Sequence, residues 1–135
     1  MFALEVRDHI MIAHSLRGEA FGPAQNMHGA TFIVDAAFFA PALGPNSIVL
    51  DIGLAADALK AILARLNYKN LDELPEFADR RSTTEVLAKH IFDRLAEEIA
   101  AGSLGEDAAG VTRLRITLEE SHVARAWYEA DLPAG

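Results

Sequence analysis

The sequence contains no cysteine. That absence excludes disulfides, thiolate zinc sites, iron–sulfur clusters and thiol nucleophiles. Positive charge is also scarce: 12 Lys and Arg stand against 20 Asp and Glu, a formal charge of −8. Nucleic-acid binding rests on clustered bases, so the balance argues against that class of partner. No apolar run approaches the roughly 18 residues a membrane span needs. Glu5, Arg7 and Asp8 interrupt the N-terminus, which does not read as a signal peptide. A cytoplasmic protein with no membrane partner is the expectation. No repeat or low-complexity stretch occurs. Neither a phosphate loop, a nucleophile elbow nor a dinucleotide fingerprint is present, since Gly18, Gly22 and Gly29 have the wrong spacing.

What remains is a chain of 135 residues, half of them hydrophobic and a quarter charged. That is enough for one domain, 1–135, with a real core, and too apolar for disorder. Alternation predicts a strand over 2–16, with Ile10, Ile12 and His14 on one face. An irregular stretch with Gly18, Gly22, Pro23 and Asn26 follows. A second strand covers 29–39, and His28, Ala30, Phe32, Val34 and Phe38 share its face. A turn at Pro41–Asn46 leads to a short strand or extended lead-in over 47–51. Ala55, Leu59, Ile62 and Leu66 mark a helix over 54–66. A polar connection spans 67–81. Ser82-Thr83-Thr84-Glu85 fits a capping box with Ser82 as N-cap and Glu85 reaching back. Leu87, Ile91, Leu95 and Ile99 carry the second helix to Gly102. Strands are expected over 111–120, where Leu114, Ile116 and Leu118 share a face, and over 123–132. The order strand, strand, helix, helix, strand, strand predicts an α+β fold: a four-stranded antiparallel sheet with two helices packed on one face.

Some polar residues fit this pattern poorly. Glu120 is in phase with Leu114, Ile116 and Leu118; either the strand has ended and it is solvated, or it awaits a ligand. His14 and His28 fall at neighbouring ends of a hairpin. They are two imidazoles where zinc wants three or four ligands, so a pair of satisfied polar residues is the simpler reading. Thr83 and Thr84 sit at a helix N-terminus, where a cap explains Ser82 and Glu85 but does not require both threonines. His9, His90 and His122 look isolated, and His90 reads as solvated on the polar flank of its helix.

Several blocks taken together resemble one family. They are Ile12-Ala13-His14, Met27-His28-Gly29-Ala30, Val49-Leu50-Asp51, 66–72, Ser82-Thr83-Thr84-Glu85 and Glu120-Ser121. The chain resembles the 6-pyruvoyltetrahydropterin synthase family, which includes the 6-carboxytetrahydropterin synthases, from about residue 8 to 128. The resemblance implies the tunnelling fold, in which three sheets close a barrel and two trimers stack into a homohexamer with sites between subunits. It implies a pterin-like or purine-like ligand, anchored by Glu120 and contacted by Thr83, Thr84, Ser121 and Glu85. It also marks what is missing. His14 and His28 match two of the family's three zinc histidines, and the third position is Ala30. The catalytic cysteine has no counterpart. The Asp-His pair that works with it falls at Asn67 and Tyr68. No zinc and no synthase reaction are therefore expected, because neither a Lewis acid nor a thiolate is present to act on the substrate side chain. Two other readings stay open. One is altered chemistry on a dihydropterin, such as side-chain cleavage, with Tyr68, Lys69 or His122 as acid–base groups. The other is a synthase whose metal site is rebuilt with Glu19 or another loop residue. A partner protein with an empty pocket is the non-catalytic extreme.

Overall fold

The computed structural model describes residues 1–133. Four strands form one antiparallel sheet in sequential order: β1 (Phe2–His14), β2 (His28–Ala40), β3 (Arg113–Ser121) and β4 (Ala124–Asp131). Two α-helices, α1 (Ile52–Ala64) and α2 (Thr84–Ala100), enter between β2 and β3. This is the α+β arrangement expected from the element order.

The core lies between helices and sheet. Period two supplies Ile10, Phe32, Val34, Phe38, Leu114, Ile116 and Leu118 from the strands. Period 3.6 supplies Ala55, Leu59 and Leu63 from α1, and Leu87, Ala88, Ile91, Phe92 and Leu95 from α2. Burial of each large side chain contributes roughly 1.5–3 kcal/mol. The opposite sheet face bears ion pairs instead, among them Arg7–Asp35 at 2.7 Å and Arg113–Glu129 at 2.7 Å.

Four local readings need correction. The piece over 47–51 is not a strand but a series of bends, with Ser47 at φ 65°. Gly44 donates its amide to the Ile48 carbonyl and Ser47 donates to Gly44, so backbone groups that a sheet would use close a turn. Val49 and Leu50 are still buried, and Asp51 caps α1 by accepting from the Leu54 amide at 2.9 Å.

The N-cap of α2 is Thr83, not Ser82; its hydroxyl accepts from the Val86 amide at 3.3 Å. With the cap one residue later, Val86 occupies the position from which Glu85 would have reached back, and the capping box is broken.

The connection 67–81 is more ordered than its polarity suggests. It holds 3₁₀ turns at Leu71–Glu73 and Pro75–Phe77, and its first residues run along the free edge of β1. His90, finally, is half-buried rather than solvated. Its Nδ1 lies 3.2 Å from Arg80 Nη2, and its ring packs on Phe77 at 5.2 Å.

Candidate functional site

The register of the first hairpin sets the site. His14 pairs with His28 at the open end of β1 and β2, and the two rings meet edge-on with centroids 4.6 Å apart. His14 is buried, and its Nδ1 lies 3.1 Å from the Ser82 carbonyl and 3.0 Å from the Ser82 hydroxyl. The carbonyl can only accept, so Nδ1 carries the proton and donates to it. Ser82 is thus bound to β1 rather than capping α2, which is why the cap moves to Thr83. His28 Nδ1 donates to the Asn26 carbonyl at 2.9 Å by the same logic. In the neutral His14 ring Nε2 is left as the acceptor nitrogen.

The electrostatics favour the neutral imidazole at His14. Burial pushes the His14 pKa below its ordinary value, and the neighbouring His28 acts in the same direction. The hydrogen bond to Ser82 and the charges of Asp72 and Glu120 oppose this without reversing it. Glu120 is therefore within electrostatic reach of the histidine pair.

Glu120 stands at a β-bulge. Glu119 pairs with Arg125 and Ser121 with Ala124, which leaves Glu120 between them without a partner on β4. Its side chain is exposed and makes no hydrogen bond among the described residues. Ser121, also exposed, turns its hydroxyl to the Val123 amide at 3.3 Å. Thr84 is half-buried at the start of α2, and Glu85 is exposed beside it. The site residues thus come from the ends of β1, β2 and β3 and the start of α2. His122 lies in the exposed β3–β4 turn, and Glu19 opens an exposed 3₁₀ segment, Glu19–Gln25, between the two histidine strands.

Asn67 and Tyr68 are held on the outer edge of β1. Asn67 Oδ1 accepts from the Met11 amide at 2.9 Å, the Tyr68 amide donates to the Met11 carbonyl at 2.6 Å, and the Ala13 amide donates to the Lys69 carbonyl at 3.0 Å. Tyr68 has φ 61°, a left-handed backbone that costs a bulky residue roughly 1–2 kcal/mol, and its side chain is 78% exposed. Sequence patterning missed both this strain and the mating of 67–70 with β1. A polar run of this kind carries no local signal for either.

A zinc ion would need a third donor beside the two histidines. Ala30 offers none, and no group of three or more His, Cys, Asp or Glu that could hold a metal occurs among the described residues. The residues present do not fit a three-ligand zinc centre.

A family model for 6-pyruvoyl tetrahydropterin synthase matches residues 3–131. The chain belongs to that family. The fold agrees. The Caenorhabditis elegans 6-pyruvoyl tetrahydropterin synthase structure superposes with TM-score 0.78 at 21% identity, covering 96% of this chain and 95% of that one. The Plasmodium vivax enzyme gives 0.75 at 15% identity, with 97% and 99% covered. An uncharacterized Wolinella succinogenes protein gives 0.67 at 14%, with 94% and 97% covered. No curated protein matches the chain by sequence. Two further P. vivax structures of the same synthase are mutants in which a glutamate described as catalytic is replaced by Cys or Ala. As a family member, the chain also has no helix among its described residues long and apolar enough to cross a membrane.

Proposed function

We propose that this member of the family binds a pterin-like or purine-like heterocycle and does not carry out the synthase reaction. The observation that carries this reading is Glu120. The sheet presents its carboxylate at a bulge, within electrostatic reach of His14, and no group among the described residues hydrogen-bonds to it. A carboxylate so placed suits a planar ligand offering two adjacent N–H donors. Thr83, Thr84, Ser121 and Glu85 would line the ligand edge. The Thr83 hydroxyl is already engaged as the cap, so Thr84 is the stronger contact.

The loss of the parent reaction follows from chemistry. The chain has no thiol to take the side-chain proton. Asn67 cannot ionise, and its Oδ1 is held by the Met11 amide. Two histidines without a third donor make a poor zinc site, so no metal cofactor is assigned. The exposure of Glu120 and Tyr68 supports a site completed by neighbouring subunits in a homohexamer, a dimer of trimers. A chain without cysteine gains nothing from an oxidising compartment, which supports a cytoplasmic setting.

The test is pterin affinity by calorimetry for wild type and Glu120→Gln. The substitution keeps shape and removes charge; at least a tenfold loss with an unchanged melting temperature is expected. Equal affinities would sink the reading.

A second reading has a specific support. A glutamate is described as catalytic in the P. vivax relative. Here Glu19 lies in the loop between the two histidine strands and could serve as base in altered chemistry on a dihydropterin. Turnover of dihydroneopterin triphosphate that disappears in Glu19→Gln would establish this reading and displace the non-catalytic one.

A further inference from the structure

Segment 75–81 joins two parts of the molecule. Through Phe77, which is buried, it enters the core. Through Arg81 it runs into Ser82, whose hydroxyl meets His14, and then into Thr83, the cap of α2. Its polar ties to the helices are few. Arg65, at the end of α1, donates from Nη2 to Glu76 Oε2 at 2.9 Å. Among the described residues a single hydrogen bond joins the segment to α2, between Arg80 Nη2 and His90 Nδ1 at 3.2 Å.

That bond fixes a charge state. A guanidinium can only donate, so His90 Nδ1 must accept and carry no proton. The ring is therefore neutral, with its hydrogen on Nε2, for as long as the bond stands. Both partners are set against one fixed surface. The Arg80 guanidinium lies 5.0 Å from the Phe77 centroid, and the His90 ring packs on the same phenyl at 5.2 Å. Arg80 Nε also donates to the Glu76 carbonyl at 2.9 Å. A proton arriving at Nδ1 would replace the acceptor with a cation facing a cation, and the attraction would become repulsion.

The surroundings do not rescue that cation. Arg80 and Glu76 act on His90 from the connection, and Asp93 and Arg94 from its own helix. Arg65, Glu97 and Glu98 share with it a cavity of about 420 Å³ between α1 and α2, which gives a proton a path to the half-buried ring. Most of these acids are already engaged: Glu76 by Arg65, Asp93 by Lys89 and Glu97 by Arg94. Burial, Arg80 and Arg94 outweigh Glu76 and Asp93 and hold the His90 pKa below its ordinary value.

We propose that His90 and Arg80 form a pH-operated latch: it holds 75–81 against α2 while His90 is neutral, and protonation of His90 opens it. Opening leaves Phe77 in the core and Glu76 on Arg65, so the segment loosens locally without global unfolding. The loosened stretch leads directly to Ser82, so release at His90 is felt at the histidine pair.

The experiment combines native-state hydrogen exchange with imidazole ¹⁵N NMR on the whole chain. The amides of Phe77 and Ala78 are hydrogen-bonded within the turn and report on its order. Their protection factors, which discount the intrinsic pH dependence of exchange, should fall about tenfold or more between pH 7 and pH 4 in wild type. His90→Gln keeps an acceptor for Arg80 and cannot ionise, and should retain its protection over the same range. His90→Phe keeps a ring on Phe77 without an acceptor, and should be loose at both pH values. In wild type at pH 7 the Nδ1 resonance should be that of an unprotonated nitrogen, and it should titrate with the same midpoint as the loss of protection. A protonated Nδ1 at pH 7, or an equal loss of protection in His90→Gln, would overturn the proposal. The NMR titration needs only wild type, so it decides the matter if a variant does not fold.

Discussion

Two carboxylates at opposite ends of the sheet are treated differently by the fold. Asp107, near the start of β3, is buried and satisfied from within: the Asn46 amide donates at 2.9 Å and its Nδ2 at 2.7 Å. These bonds hold the Asp107 pKa below its ordinary value. An added Cβ on Gly44 would collide with Asp107 Oδ1, so the turn is built around that carboxylate. Glu120, at the far end of β3, has none of this. A structural polar group finds its partners inside the chain, whereas a binding group is positioned by rigid neighbours and left unmet.

The most severe way to break the contrast is to remove core packing beneath the Glu120 end. Leu118 is fully buried two residues before Glu120, and Leu118→Ala should cost about 2–5 kcal/mol in a denaturant titration. Asp107→Asn comes next. It should lower the melting temperature by several degrees at pH 7, whereas Glu120→Gln should not move it. A melting temperature insensitive to Asp107→Asn would remove the distinction.

A third test uses pH. His14 and His90 both have pKa values lowered chiefly by burial. The folded state therefore binds fewer protons than the unfolded chain. Their contribution is fully present above about pH 6.5, the ordinary histidine value, and is lost as pH falls toward the lowered folded values. The drop in melting temperature from pH 7 to 5 should shrink in His14→Gln/His90→Gln. The smallest effect belongs to Tyr68. Relief of its left-handed backbone in Tyr68→Gly is partly offset by the entropy of glycine, leaving a gain of up to about 1 kcal/mol. A gain in stability with a loss of ligand affinity would mark Tyr68 as strained for function.

Much of the fold was legible because its signals are local. The alternation of Arg113–Ser121 and the four-residue spacing in α2 need no distant partner to be read. Most of the failures involve distant partners. Ser82 looked like a cap because Thr83, Thr84 and Glu85 follow it, and only the arrival of His14 from β1 explains its other role. Ile48, Val49 and Leu50 have strand character but no free strand beside them. His90 appeared solvated until Arg80 and Phe77 closed over it. At the site, the phase of Glu120 and the pairing of His14 with His28 could be read from period and hairpin logic. The bracing of the Arg17 loop by Arg81 could not, since the two are 64 positions apart and no motif joins them.

The mating of 67–70 with β1 has a consequence for strand addition. β1 is an edge of the sheet, and its odd-numbered residues turn their amides outward. Asn67 and Lys69 take those of Met11 and Ala13, and Asp8 Oδ1 takes that of His9 at 2.8 Å. Ala3, Glu5 and Arg7 are left. A strand from another chain could extend the sheet only along that first half and would meet a stop at His9. The edge carries its own ruler: it sets how far an incoming strand can run, and so the register in which it docks, before any side chain is compared.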